Sequence, residues 1–245
     1  MAVIELQVKV PRQLSDISLK EYQEYLKIYR QVEKDAEKDK DINKEQNDFL
    51  NLKALEIFCG LELKESYKLP LNTFDAVLES VYGCFKEETP LIQRFKMTGS
   101  DDVTVEFGFI PKLDEISLGE YIDLENYISD WDKMHKAMAV LYRPIVAGKK
   151  GLYRIEEYEG ADKWADVMKD APVNVALGAT VFFYRLGIKL SKYTMNSILS
   201  EEMELTTQQK ATLEQNGGGI SQYMVSLEAM LEKLKKLKGF QSTNV

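Results

Sequence analysis

The sequence predicts an α+β fold that is predominantly α-helical and contains tandem duplicated units, each a short β-strand, a proline and a capped helix. Two segments alternate apolar and polar residues, and a proline follows each of them. The helices that come next begin with nearly the same residues, 99 positions apart. We therefore expect a first repeat unit at residues 1–98, a second at 99–216, and a glycine hinge with a C-terminal amphipathic helix at 217–245.

The first unit opens with a predicted strand at residues 3–10. Its apolar side chains alternate with polar ones, and most of them are β-branched: Ile4, Leu6, Val8 and Val10. This period of two is typical of a strand with one buried face. Pro11 ends it, because proline has no amide hydrogen to donate to a neighbouring strand.

The helix after Pro11 is predicted from its capping residues. Ser18 suits the N-cap position, and Glu21 stands three residues later, which together form a capping box. Ile17 and Tyr22 flank them at the positions of a hydrophobic staple.

The second unit repeats this arrangement. A predicted strand at 103–110 ends at Pro111, and the cap and staple positions recur as Ile116, Ser117, Glu120 and Tyr121. Capping boxes are frequent, so convergence on a common helix start is the alternative. The shared residues, together with the preceding strand and proline, favour duplication.

The remaining helices are predicted from the spacing of apolar residues and from the residues that begin or end a helix. In the first half, the charged run 33–48 predicts a solvated helix face or loop, with an interaction tail as the alternative, and a helix follows at 49–63. Pro70 breaks it, and Asn72 is expected to cap the next helix.

In the second half, the helix from Leu118 continues towards Trp131, and residues 134–142 form the next apolar helical piece. Residues 99–102 are typical of a turn, and residues 145–160 of a short hairpin. The long helix at 173–199 is apolar on nearly all sides, which predicts a central core element.

The C-terminal region is predicted to be separable. Three glycines at 217–219 form a flexible joint. Beyond it, an apolar stripe at three- and four-residue spacing gives the candidate interface residues Ile220, Tyr223, Met224, Leu227, Met230, Leu231, Leu234 and Leu237. This helix packs either on its own domain or on another subunit, and both interpretations remain open. Glu228 and Glu232 on its polar face make membrane adsorption the weaker interpretation.

Composition excludes several functional classes. The chain has 245 residues with 40 acidic and 32 basic side chains, and a net charge of −8 disfavours binding to the phosphates of nucleic acids. The longest uncharged apolar run, 171–184, is shorter than the roughly 20 residues that span a bilayer. We expect no membrane partner and a soluble protein, made in a reducing cytoplasm, with Cys59 and Cys84 as buried structural thiols.

No catalytic, metal or cofactor motif can be identified. The single histidine, His135, lies in an apolar helical stretch and has no cysteine at zinc-site spacing. Nucleophile and phosphate-loop motifs are missing, and a calcium-like start at residue 39 lacks the required glycine and final glutamate. The sequence therefore predicts a non-enzyme without cofactors, although a site built from scattered residues is the alternative. The candidate aromatic residues either pack in the core with their polar group in solvent or make contacts at protein interfaces. They are Tyr22, Tyr25, Tyr29, Tyr121, Tyr127, Tyr142, Tyr153, Tyr158 and Trp164.

Residues 116–125 and 138–144, with 175–179 and 182–184, resemble proteins encoded among the virion genes of tailed bacteriophages. The similarity is to small proteins of crAss-like and related short-tailed phages, and it covers residues from about 100 to 200. It implies a structural virion protein of the portal, tail or ring region, a packaged protein, or a tail assembly chaperone. It also implies a homo- or hetero-oligomer with other virion or assembly proteins, located in the virion after synthesis in the bacterial host cytoplasm. The resemblance assigns no residue a role.

Overall fold

The computed structural model describes residues 8–36, 43–86, 88–99, 102–149, 151–201, 225–230 and 232, with the backbone alone from 193 to 201. Its architecture is α+β and mainly helical, which confirms the predicted fold class. The chain forms two compact units. The first comprises Met1–Glu88 and Ile92–Ala176, and the second comprises Thr89–Leu91 and Leu177–Val245. The duplication and the three predicted segments remain predictions about the organisation of the chain.

Helices make up most of the first unit. The elements are α1 (Leu19–Ala36), α2 (Lys44–Cys59), α3 (Leu63–Ser66), α4 (Leu71–Cys84), α5 (Leu118–Tyr127), α6 (Met134–Leu141), α7 (Asp162–Met168) and α8 (Val173–Glu201). Short 3₁₀ turns at Leu14–Asp16 and Leu113–Glu115 precede α1 and α5, and a third at Trp131–Lys133 precedes α6. Helix α8 begins in the first unit and continues in the second.

The described sheet is antiparallel and lies in the first unit. Its strands β1 (Arg94–Thr98), β2 (Thr104–Phe109), β3 (Tyr142–Lys149) and β4 (Leu152–Ile155) are arranged in the order β1-β2-β3-β4. Strand β2 confirms the predicted second strand, and β3 with β4 confirms the predicted hairpin. Gly99 donates its amide hydrogen to the carbonyl of Val103 at 2.9 Å, so the predicted turn does connect two strands.

Two strand predictions need correction. Strand β1 was not predicted, because it is an edge strand on which Arg94 and Lys96 alternate with only two apolar side chains. Conversely, the described end of the predicted strand 3–10, residues 8–10, is not a strand, and the rest of it lies outside the described residues. All four strands of the described sheet come from residues 94–155.

One predicted helix cap is also wrong. Asn72 lies inside α4, and Pro70 occupies the N-cap position with φ of −57°. The Pro70 carbonyl accepts from the amides of Thr73 at 2.9 Å and Phe74 at 3.0 Å, so the first bonds of the helix begin two residues before Asn72. Helix α2 has a cap that was not predicted: Asn43 Oδ1 accepts from the Gln46 amide at 2.9 Å, and Gln46 Oε1 accepts from the Asn43 amide at 2.9 Å.

Helix α8 is only partly the buried core element that the sequence predicts. From Val173 to Thr180 nearly every residue is buried, whereas most residues from 181 to 192 are half-buried or exposed. Within the part of the chain that the structure describes, Val173–Lys192 is long and apolar enough to cross a membrane by length and composition. It extends past Arg185, where the predicted apolar run ended. The core helix of a soluble protein also passes this test, and 44% of the tested window is buried.

Aromatic rings form the centre of the first unit. Tyr22 lies 5.7 Å from Phe85 and 5.2 Å from Trp131 between ring centroids, and Tyr25 lies 5.1 Å from Phe58. Tyr22, Tyr25 and Tyr142 are fully buried, which confirms core packing for these three of the candidate aromatic residues.

Both cysteines are free and buried, as predicted. Burial raises the pKa of the Cys59 thiol to about 11. Because only the thiolate is a strong nucleophile, this shift disfavours reaction of Cys59 at neutral pH.

One glycine of the sheet, Gly108, allows a side chain from another strand to pack directly on the backbone. Tyr153 of β4 crosses over Gly108 of β2 and donates its hydroxyl hydrogen to the carbonyl of Phe109 at 2.7 Å. Arg94 covers the Tyr153 ring at 4.4 Å and donates to the carbonyl of Gly151 at 2.6 Å. A Cβ atom at position 108 would lie 2.5 Å from a carbon of the Tyr153 ring.

Gly108→Ala should therefore destabilise the protein by about 1–3 kcal/mol, since the added methyl group pushes the Tyr153 ring away from strand β2. Urea unfolding followed by circular dichroism measures this change. Gly83→Ala is the matched control, because a Cβ atom added at Gly83 would have no other atom within 4 Å. Within helix α4 this alanine should be neutral or stabilising by up to about 1 kcal/mol. Equal effects of the two substitutions would contradict the packing described for Gly108.

His135 lies half-buried on α6, beside α1. Gln23 Nε2 lies 3.2 Å from His135 Nδ1 and donates to the carbonyl of Trp131 at 2.6 Å. Burial lowers the pKa of His135, and the positive charges of Lys169 and Lys136 lower it further. The folded protein therefore favours the neutral imidazole.

Since the unfolded chain binds the His135 proton more readily than the folded one, this contribution to stability is complete above the unfolded pKa of about 6.5 and decreases below it. We expect the free energy of unfolding to fall between about pH 7.5 and 5.5. His135 is the only histidine, so His135→Gln should flatten this part of the profile. An unchanged slope in the variant would assign the pH dependence to other groups.

Candidate functional site

The two copies of the capped helix start, residues 14–22 and 113–121, have the same local geometry. Ser18 donates its amide hydrogen to Glu21 Oε2 at 2.7 Å, and Ser117 donates to Glu120 Oε2 at 2.7 Å. In return, the serine Oγ accepts from the glutamate amide at 3.2 Å in the first copy and 3.3 Å in the second. Each copy begins with a 3₁₀ turn, Leu14–Asp16 in the first and Leu113–Glu115 in the second. Both predicted capping boxes are confirmed.

The first copy is covered by the rest of its unit. The Leu19 amide donates to the carbonyl of Ala171 at 2.8 Å, and the Val173 amide donates to the carbonyl of Ile17 at 2.9 Å. These bonds flank an antiparallel bridge between Ser18 and Pro172. Leu19 and Tyr22 are 0% exposed. The structure thus shows how a protein surface binds this helix start.

The second copy leaves the equivalent residues in solvent. Leu118 is 74% exposed and Tyr121 is 53% exposed, although they occupy the positions of Leu19 and Tyr22. Ile122, one turn after Leu118, is 46% exposed. Residues three and four apart share one side of a helix, so the three side chains form a single apolar strip. We call Leu118, Tyr121 and Ile122 the α5 face.

A buried ion pair fixes the opposite side of α5. Glu120 Oε1 lies 2.6 Å from Arg143 Nη1, and both side chains are only 8% exposed. Burial by itself would raise the pKa of Glu120, but the hydrogen bonds from Ser117 and the charge of Arg143 outweigh it and lower this pKa below its usual value. Leu124, one turn after Glu120, is buried on the same side. The carboxylate therefore caps the helix and also ties it to the first residues of β3.

Tyr158 adds a second attachment for α5. Its hydroxyl group donates to Asp123 Oδ2, and its ring lies 5.3 Å from the guanidinium carbon of Arg143. Burial and the negative charge of Asp123 raise the pKa of Tyr158, so the phenol keeps its proton at neutral pH. Gly119 lies above the same ring. With its inner side held by these groups, α5 presents the α5 face in a fixed orientation.

The surroundings of the α5 face are acidic. Asp114 and Glu125 are exposed, and Glu125 stands one turn after Tyr121. Glu115 is also exposed but is paired with Lys112 at 2.5 Å. The α5 face is therefore an apolar strip with carboxylates beside it.

The predicted C-terminal interface is described at two of its residues. Leu227 is 8% exposed and packs against α8 within the second unit, where a Cβ atom at Gly187 would lie 2.7 Å from Leu227 Cδ1. Met230 is partly exposed. At Leu227 the stripe therefore contacts its own chain, which is the first of the two interpretations given above. The other predicted interface residues lie outside the described residues: Ile220, Tyr223, Met224, Leu231, Leu234 and Leu237.

The second unit also contains an open groove of about 280 Å³. Its lining is mainly apolar, from residues 89–91 and one side of α8, with Arg185 and Lys189 at its edge. Gly178 lies in its wall, where a Cβ atom would come within 2.2 Å of the carbonyl oxygen of Pro90. No carboxylic acid, histidine or cysteine is among its lining residues.

Within the described ranges, no group of three or more His, Cys, Asp or Glu side chains has the arrangement of a metal site. No protein-family model, no curated protein and no solved structure matches this chain. The α5 face is an exposed apolar surface on a helix whose other side is held in place. The repeated helix start can be recognised from the sequence but its exposure cannot, because the two copies carry the same local signal.

Arg143→Met should destabilise the protein by about 3–5 kcal/mol, because it leaves the Glu120 carboxylate buried without a partner. Adding Glu120→Gln to this variant should restore most of the loss, since the neutral amide can still accept from Ser117 at the cap. Urea unfolding of the wild type, both single variants and the double variant forms a complete mutant cycle. Additive effects would mean that the pair does not act as one buried unit.

Proposed function

We propose that this protein is a structural component of a tailed phage particle, in the portal, tail or ring region or packaged inside, and that it acts through protein–protein contacts. The observation that carries the proposal is the exposure of Leu118, Tyr121 and Ile122 on a helix whose other side is fixed. It is made in the host cytoplasm and enters the virion by binding other virion or assembly proteins.

The α5 face has the properties of an interface centre. Tyrosine and large aliphatic residues dominate the binding energy of protein interfaces, and they bind best from positions that need no rearrangement. The first copy supplies an internal reference, since Leu19 and Tyr22 become fully buried where a complementary surface is present. The same side chains in the second copy are arranged for the same kind of burial.

The phage assignment is supported by the resemblance given above, whose longest run, residues 116–125, includes the α5 face. A tail assembly chaperone that is not retained in the virion is the alternative, because a client-binding protein would use the same exposed strip. An enzyme is the second alternative. The strongest buried charge cluster among the described residues, Glu120 with Arg143, is already neutralised as an ion pair, which weakens that alternative.

Mass spectrometry of particles purified from infected cells tests the role. Peptides of this chain at a constant copy number per particle are expected for a structural protein. Peptides present in the infected lysate but missing from particles would overturn the structural role and favour the chaperone.

The contact surface is tested by Leu118→Ser combined with Ile122→Ser. We expect the double variant to fold with an unchanged unfolding midpoint and to be incorporated into particles at least about tenfold less than the wild type. Leu152→Ser is the matched control, because Leu152 is 80% exposed on β4, away from α5 in the sequence. Equal incorporation of the double variant and the wild type would exclude the α5 face as the attachment surface.

A further inference from the structure

We infer that the α5 face of one copy of this chain binds helix α3 and the start of α4 in a second copy, so that the subunits assemble head to tail. The inference rests on the proposed function only in assuming that the protein acts through protein contacts. It identifies the partner as the chain itself and names both surfaces.

The second surface is another concentration of exposed large apolar residues in the first unit. Leu63 is 42% exposed, Tyr67 is 73% exposed and Leu71 is 75% exposed. The amide of Tyr67 donates to the carbonyl of Leu63 at 3.2 Å, which places these two side chains one helical turn apart. Leu71 begins α4 four residues later. We call Leu63, Tyr67 and Leu71, with the adjacent Lys64 and Lys68, the α3 face.

The α3 face is also anchored to the rest of its unit. Leu61 just before it and Ser66 within it are buried, and Ser66 donates its hydroxyl hydrogen to the carbonyl of Glu62 at 3.2 Å. The Leu61 amide donates to the carbonyl of Leu55 at 3.2 Å, which connects this turn to α2. Its exposed side chains therefore stand on a fixed base and need little ordering on binding.

Lysines lie beside the apolar residues of the α3 face, whereas carboxylates lie beside those of the α5 face. On α3, helical spacing places the exposed Lys64 and Lys68 in a row beside Leu63 and Tyr67. The half-buried Glu65 falls on the far side of this lysine row, the exposed Glu62 precedes the helix, and the exposed Asp75 stands one turn after Leu71.

On α5, the apolar row of Leu118 and Ile122 has the exposed Glu125 beside it, in the row that begins with Tyr121, and Asp114 lies just before the helix. When the α3 face of one copy lies against the α5 face of another, the apolar rows meet. The lysines of the first copy then oppose the carboxylates of the second.

This charge pattern also disfavours the symmetric alternatives. Two α5 faces in contact would bring their carboxylates together, and two α3 faces would bring their lysines together, which is unfavourable in both cases. A contact between two different surfaces leaves one unused face of each kind on every pair. Such a heterologous contact adds further copies until a ring closes, or continues as a filament.

Sedimentation velocity of the purified full-length chain over a concentration series tests the assembly. We expect the wild type to form species larger than a dimer at concentrations of about 10–100 µM, as contacts of modest area do. One variant disables the α5 face with Leu118→Asp and Ile122→Asp, and another disables the α3 face with Tyr67→Asp and Leu71→Asp. Each variant alone should be a folded monomer, with folding checked by circular dichroism.

The mixture of the two variants is decisive. Each still carries one intact face, so an equimolar mixture should form a heterodimer and nothing larger. If the variant without the α3 face still dimerises alone, the contact is between two α5 faces, and the proposal is wrong. Monomeric wild type throughout the series would also overturn it.

Charge reversal keeps the test independent of apolar packing. Lys64→Glu with Lys68→Glu should weaken assembly by about tenfold, and Asp114→Lys with Glu125→Lys in the same chain should restore it. Failure of this rescue would overturn the pairing of the two faces.

The outcome separates this inference from the proposed function. A chain that assembles alone but is missing from particles contradicts only the virion role. A monomer that is present in particles contradicts only self-assembly.

Discussion

Arg143 carries a permanent positive charge in a position that is almost inaccessible to solvent, and neighbouring groups of the first unit neutralise and cover it. Glu120 supplies the opposite charge at 2.6 Å, Tyr158 covers the guanidinium group, and the Nε atom has no hydrogen-bond partner among the described residues. Because a buried charge without a partner is very costly, α5 cannot leave this position while Arg143 remains buried. Arg143 also pairs with Gly108 in the sheet, so one interaction sets the position of α5 relative to β2 and β3.

The same carboxylate explains why one side of α5 is fixed and the other exposed. Glu120 points inward to meet Arg143 while its backbone and that of Ser117 complete the cap. Helical geometry then forces Leu118 and Ile122 to the outside, since they lie on the opposite side of the helix from Glu120 and Leu124. In the first copy, the described hydrogen bonds of Glu21 are those of the cap. Residues 169–173 cover this helix start. An identical local start therefore has two different tertiary environments.

That contrast shows how much of the fold and of the site follows from sequence. Both capping boxes, the β3–β4 hairpin and the buried thiols were predictable because each depends on residues close together in the chain. Strand β1 was not, because an edge strand needs only one partner and carries no buried face of its own. The exposure of Tyr121 was not predictable either: Tyr22 has the same neighbours, and its burial depends on Phe85 and Trp131, which are distant in sequence.

Tertiary context also explains why α8 is only partly buried. Its composition is apolar along most of its length, yet continuous burial stops at Thr180, inside the second unit, which takes over the helix at Leu177. Leu227 shows how the later part is covered, since it packs where Gly187 leaves room for a side chain. Composition thus determines how much apolar surface of a helix needs to be buried, whereas the surfaces that pack against the helix determine which of its residues are buried. For α5 no such covering surface is present among the described residues, so the same helix start is buried at Leu19 and Tyr22 and exposed at Leu118 and Tyr121.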